Sequence, residues 1–213
     1  MAPWDHARRT VVGAEWHETD DGGHLQLGVV ARTLTGRLTL EEGEQGPEDE
    51  QEPEDSVPGY GLAFSGSFLV DKKHDRDNIK WQLSLGEGIG SYINDMRSIG
   101  GQDAVFNPET GELAALPALG TYVAYERWWR PEFKSSWFQS MRSTFVYGYT
   151  YVDNFDYQAG GDYKGTQRAS ANVMFSPISD LNLGAEILWG LRRNRDSSQG
   201  EAWQWQLLAE FRF

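Results

Sequence analysis

The residues best suited to general-base or zinc chemistry are four histidines, His6, His17, His24 and His74, all in the first third of the chain. None belongs to an HExxH helix, and no GxSxG turn supplies a nucleophile. Cysteine is absent, which excludes thiol catalysis, disulfides and Cys-ligated zinc. The run GEGIG (Gly86–Gly90) lacks the Lys-Ser/Thr pair that completes a phosphate loop. Glycines at the end of a strand read instead as room for a loop to fold close to a wall. The stretch EEGEQGPEDEQEPED (Glu41–Asp55) holds nine carboxylates, and hard oxygen ligands suit calcium or magnesium. It has neither regular spacing nor the central glycine of a calcium loop, so it reads as a solvated surface loop. No catalytic residue, metal or cofactor is expected. The side chains left to do chemistry are cations: Arg32, Lys80, Arg142, Arg168, Arg192 and Arg212, set against Glu15, Glu186 and Glu210. A guanidinium pairs bidentately with a carboxylate, and in a confined aqueous path its field is focused by low-dielectric walls.

These residues fall on strands, because the hydrophobic period is two. WQWQLLAEFRF sets Trp203, Trp205, Leu207, Ala209, Phe211 and Phe213 against Gln204, Gln206, Leu208, Glu210 and Arg212. LNLGAEILWGLRR, QRASANVMF, MRSTFVYGYTY, IKWQLSL, YGLAFSGSF and HLQLGVVAR alternate in the same way. The pattern predicts nine strands, at about 8–17, 24–38, 59–70, 78–88, 118–128, 134–152, 165–176, 181–192 and 201–213. Strand 118–128 is ambiguous in facing, because Glu126 and Arg127 adjoin. Short connections (18–23, 71–77, 129–133, 176–180) alternate with long ones: an acidic loop at 41–57, a segment at 89–117, then 153–165 and 193–200. Strict alternation means antiparallel neighbours with every long loop at one end, the layout of an outer-membrane β-barrel. The fold expected is therefore all-β, an antiparallel transmembrane barrel treated as one region over 1–213.

The chain of 213 residues carries a net charge of −13, which without the carboxylates of 41–55 becomes −4. That balance argues against a nucleic-acid partner. Hydrophobic residues make up only 39% while aromatics reach 13%, with nine Trp. No run approaches the length of a transmembrane helix. The start, MAPWDHARRT, lacks the apolar stretch of a secretory signal. A soluble lipocalin-like barrel would point its apolar face inward and solvate a charged one. Here the polar face is rich in Ser, Thr, Asn, Gln and Gly, and aromatics gather toward strand ends. Trp189, Trp203, Trp205, Tyr147, Tyr149 and Tyr151 are expected near the outer rim, and Trp16, Trp81, Trp137, Phe211 and Phe213 near the inner one, as two belts at two interfaces. A barrel with a closed lumen and a structural or hydrolase role is the other alternative. A membrane hydrolase, however, would need a Ser–His pair on the lipid face near the outer rim, and His17, His24 and His74 lie in or beside the short turns.

The chain ends in QLLAEFRF, similar to the amphipathic, aromatic-terminated strand read by the outer-membrane barrel-assembly machinery, with Leu208 where that signal usually has a small residue. DNIKWQLSLGEGIGSYINDM, DAVFNPETGELAALPALGTYVAYERWW, MRSTFVYGY and NLGAEILWGLRRNRDSSQGEAWQWQLLAEFRF resemble the C-terminal part of DcaP-type porins. The resemblance covers the chain from about residue 5, is weakest at 41–57, and implies a trimeric outer-membrane channel of Gram-negative bacteria. It also implies passive transport of dicarboxylic and aromatic acids. Lipid and lipopolysaccharide are the expected surroundings of such a wall, with cations able to bridge the carboxylates of 41–55 to lipopolysaccharide phosphates. Barrels of that family have about sixteen strands, so the chain is expected to be an incomplete, roughly half barrel. A closed barrel with an even strand number cannot be built from nine, and unpaired edges in lipid are costly. Within the lumen, Arg32 and Arg142 are expected mid-strand at a constriction, with Arg168 and Arg192 toward the mouth and Lys80 and Glu186 completing the lining. Each arginine has a plainer reading, that it braces the wall against a carboxylate.

Overall fold

The computed structural model describes residues 23–37, 54–70, 77–93, 96–129, 140–178 and 180–212, and the backbone of 8–18. The strands are β1 (Arg8–Glu18), β2 (Gly23–Arg37), β3 (Glu54–Leu69), β4 (Asn78–Glu87), β5 (Ala104–Phe106), β6 (Leu113–Ala115), β7 (Pro117–Trp129), β8 (Met141–Val152), β9 (Tyr163–Ile178), β10 (Leu181–Asn194) and β11 (Gln199–Phe211). Nine of them form one sheet in sequence order, β1-β2-β3-β4-β7-β8-β9-β10-β11, and β5 and β6 form a separate hairpin. Every pairing is antiparallel. The fold is all-β, as expected, and the sheet is open: among the described residues β1 pairs with β2 and β11 with β10, and no ladder joins β1 to β11. Nine antiparallel strands leave the first and last running the same way, so an antiparallel ladder between them is ruled out.

Register shows why a period of two builds a wall. Residues paired across strands share a face, and one row runs Leu25, Gly66, Trp81, Val123, Tyr147, Ala169, Trp189, Trp203 across eight strands. The row one residue over runs Gln26, Ser65, Gln82, Tyr122, Gly148, Arg168, Gly190, Ala202. The first row is apolar or glycine, and the second is mostly polar or small. The apolar face looks outward: Leu62, Phe64, Phe145, Trp203, Trp205 and Leu207 are all exposed, Leu207 to 88%. In water that much exposed apolar surface would be an aggregation hazard.

The buried core sits on the other side, inside the curve of the sheet. Ile89, Ile93, Met96, Leu116, Ala118, Val152 and Tyr163 pack together there. Most come from the segment expected as a long loop at 89–117. It holds two 3-10 turns, Gly90–Tyr92 and Arg97–Ile99, as well as the β5–β6 hairpin. That hairpin explains one correction to the expected boundaries. The acidic loop was placed over 41–57, yet Glu54–Val57 belong to β3 and pair with Leu34–Arg37. They are ordered by the hairpin above them: the Leu113 N–H donates to Asp55 Oδ2 at 2.7 Å, and Leu34, Ala104 and Leu113 form a second buried cluster with Val57 against it. The rest of the acidic run lies outside the described residues. So does the first part of the strand expected over 134–152; within the described residues it is Met141–Val152.

Candidate functional site

The inward segment 88–116 needs a seat on the inner wall, and glycines provide it. A Cβ on Gly61 would meet Ile89 Cγ2 at 2.8 Å, and one on Gly120 would meet Ile93 Cγ2 at 2.5 Å. One on Gly36 would meet Phe106 at 2.8 Å. All three glycines lie in inner-face rows, paired with Gly86, Ser84 and Asp55. The chain leaves β4 through Gly88, whose φ of +64° is a left-handed conformation that favours glycine. The GEGIG run thus turns the segment inward. Gly120→Val is expected to lift Ile93 from the wall at about 1–3 kcal/mol, the usual cost of overpacking. Faster tryptic cleavage at Arg97 would report it, with the sheet itself unaffected.

Arg32 locks this segment down. Its side chain is only 3% exposed, its Nη2 donates to Asp103 Oδ2 at 2.7 Å, and its guanidinium lies 5.4 Å from the Tyr92 ring centre. Nη1 donates to Ser91 Oγ, and Asp103 Oδ1 accepts the Ser91 N–H at 2.8 Å. Arg32 was expected to form a mid-strand constriction with Arg142. The structure does not bring the two together. Arg142 is the second residue of β8, beside a short connection, whereas Arg32 lies in the half of β2 leading to the long one.

What remains is a cleft of 480 Å³ between the inward segment and the inner wall. Ile93 and Ile99 form one side; Gln82, Ser84, Tyr122, Thr150, Thr166, Arg168, Ser170 and Glu186 line the other. Arg168 is exposed into it and has no ion pair among the described residues. Arg192 sits beside it in register, since Thr166 pairs with Arg192 and Arg168 with Gly190. Arg192 is held over the Tyr163 ring at 5.7 Å, with Nε donating to Asn194 Oδ1 at 3.0 Å, and its Nη2 lies 3.7 Å from where a Cβ of Gly100 would be. Arg142 rests 5.4 Å from the Trp128 ring centre. Stacking on rings keeps these guanidiniums in place without consuming their charge. Lys80 is exposed on the inner face toward the short-connection end, in the row of Ser67 and Ala124. Arg212 pairs with Glu210 at 3.4 Å. The structure resolves the ambiguous strand: Glu126 shares the inner row of Asn78 and Thr144, and Arg127 turns the other way to pair with buried Asp77 at 3.1 Å.

Sequence reasoning missed Asp103 as the partner of Arg32, and Tyr122 as an inner-face aromatic. Tyr122 had a signal, since it falls on the polar parity of its strand. The partner of Arg32 had none, because 71 residues separate the two. Among the expected belt aromatics, Trp81, Tyr147, Tyr149, Trp189, Trp203, Trp205 and Phe211 share the outer-face rows. Trp205, expected near the outer rim, lies mid-strand in β11. Trp137 and Phe213 lie outside the described residues, as does the side chain of Trp16. His24 bonds Ser67 Oγ at 2.9 Å on the inner face. No group of three or more His, Asp or Glu able to hold a metal occurs among the described residues.

At the long-connection end, Arg195 donates to the carbonyls of Gln158 and Asp156 at 2.7 and 2.6 Å, fastening the loop after β8 to the turn after β10. In that turn the Ser198 hydroxyl and N–H both donate to Asp196, holding its carboxyl below the ordinary range.

No known family's sequence profile matches the chain, and no curated protein matches it in sequence. In structure it is similar to the outer-membrane channel DcaP of Acinetobacter baumannii, with a TM-score of 0.63 at 16% identity over 95% of this chain. The chain spans 62% of that channel's length. The expected likeness to DcaP-type channels is therefore one of fold: a nine-stranded open antiparallel wall that matches part of an outer-membrane channel.

Proposed function

We propose that the chain forms part of the wall of an outer-membrane porin through which small anionic solutes, such as dicarboxylic or aromatic acids, diffuse passively. The observation that carries this reading is the pairing of two faces. A largely apolar exterior suits lipid, and behind it lies a cleft whose wall side carries Gln82, Ser84, Thr166 and Arg168, with Arg192 beside it; neither arginine is neutralised by a carboxylate among the described residues. An inward segment latched to the wall narrows the path and brings the solute near those cations. The long connections would then face outside the cell, the short ones the periplasm. The open edges at β1 and β11 would be closed by further strands of a complete barrel, assembled through its C-terminal strand and trimerised as in the resembled family. The fold of the similar channel supports the reading.

Selectivity tests it. In planar bilayers the complete protein should pass a steady current with anion preference. Exchanging Arg168 and Arg192 together for Ser should move the reversal potential in a salt gradient toward zero. Conductance at 1 M salt should barely change, because screening there acts over about 3 Å. Exchanging Arg212, already paired with Glu210, should matter much less. A reversal potential unchanged in the double variant would mean that these arginines only brace the wall.

A further inference from the structure

On the outer face, β9 places two small residues, Ala169 and Ala171, in the middle of an otherwise bulky surface. Phe145 and Tyr147 stand on one side of them, and Ile187 and Trp189 on the other. The result is an apolar groove of 490 Å³ floored by alanine methyl groups and closed toward β11 by Trp203. Toward the long-connection end the character changes. Tyr147 donates to Gln167 Oε1 at 3.3 Å, and the indoles of Trp189 and Trp203 both donate to Glu201 at 2.8 and 3.0 Å. Four residues beyond Trp189, about 13 Å along the strand, the same face carries Arg193, exposed and without an ion pair among the described residues. Indoles and tyrosine hydroxyls with one polar end mark the depth where acyl chains give way to headgroups.

We infer that this groove is a binding site for one phosphorylated acyl lipid of the outer leaflet, with an acyl chain over Ala169 and Ala171 and a phosphate at Arg193. The geometry supplies both halves of such a ligand, a slot lined almost wholly by apolar surface and a cation one headgroup's reach above it. The carboxylate on this face, Glu201, already accepts from two indoles, whereas Arg193 is exposed and left without an ion pair among the described residues, so charge complementarity at the groove's upper end favours an anionic headgroup. The inference rests on the outer-membrane reading. It adds a defined lipid site to what would otherwise be a uniformly greasy exterior.

The test is native mass spectrometry of the complete protein in mild detergent, titrated with lipid A. One tight lipid A adduct per protomer is expected. A169F/A171F, which fills the groove with lipid-compatible side chains, should weaken that adduct about tenfold or more. R193Q should weaken it about fivefold, as loss of one cation near an anionic headgroup implies, and R193K should restore it. With dephosphorylated lipid A the R193Q effect should vanish. L62F, on a distant part of the same face, should change nothing. Should A169F/A171F not assemble, judged by heat-modifiability, A169L/A171L and R193Q carry the test. Equal adduct occupancy in wild type and the groove-filled and R193Q variants would overturn the inference. So would a groove-filled variant that changes the oligomer mass instead of the lipid count, which would assign the groove to a second copy. Failure of the wild-type protein to insert into bilayers at all would instead overturn the membrane reading.

Discussion

Replacing Asp103 with Ala is expected to release the inward segment, at a cost of about 3–5 kcal/mol, because it strands the Arg32 guanidinium without its carboxylate. The side chains of this pair are 3% and 12% exposed, so water cannot take over the missing partner. Asp103 also accepts the Ser91 N–H, so the same change leaves a backbone donor unpaired at the start of the segment. On the porin reading proposed above, the consequence in the complete protein should be a larger and noisier single-channel conductance, with new protease sites within 88–116. Arg32→Met alone strands the Asp103 carboxylate in turn; it should do somewhat less, because that carboxylate is 12% exposed and keeps the Ser91 N–H as a donor. R32M combined with D103L should recover most of the stability, since two apolar groups of similar volume suit the neighbouring Leu34 and Ala104 cluster. Unchanged conductance and proteolysis for Asp103→Ala would show that the segment is held by its apolar seat alone.

On the membrane-wall reading proposed above, Ile187→Arg should cost about 2–4 kcal/mol of stability, the price of a cation at mid-depth in a lipid-facing face. Ile187 pairs in register with Ala171 and Trp205, in the middle of the apolar face. Asn172→Arg, on the neighbouring inner row, places the same charge toward water and opposite its register partner Glu186. Its loss is confined to the hydrogen bond that Asn172 Oδ1 accepts from the Thr144 N–H, about 1 kcal/mol. A heat-modifiability assay of the complete protein should therefore show the folded form depleted for Ile187→Arg and nearly normal for Asn172→Arg. Equal behaviour would mean the two faces have been assigned the wrong way round.

The alternation of side chains was enough to place the nine main strands and to sort their residues by face, because a strand's two faces are set by parity and nothing else. Connection lengths likewise fixed the order of neighbours, since a short turn admits only an antiparallel hairpin. That is why Arg168, Arg192, Lys80 and Glu186 fell on the inner face as read from sequence. Contacts across long loops were another matter. Whether an arginine on the polar face meets solvent or a carboxylate depends on how the segment 88–116 folds back, and no local period encodes that. Arg32 found Asp103 because Gly59, Gly61 and Gly120 leave the wall bare enough for Ile89, Ile93 and Ser91 to come close. Arg168 faces a cleft instead of a carboxylate, because the segment presents Ile93 and Ile99 across from it. The same fold-back ordered Glu54–Val57 into β3, a stretch whose own composition reads as loop until the β5–β6 hairpin covers it. Periodicity is a property of neighbours along the chain, and the roles of these two arginines are decided by residues that only tertiary packing makes neighbours.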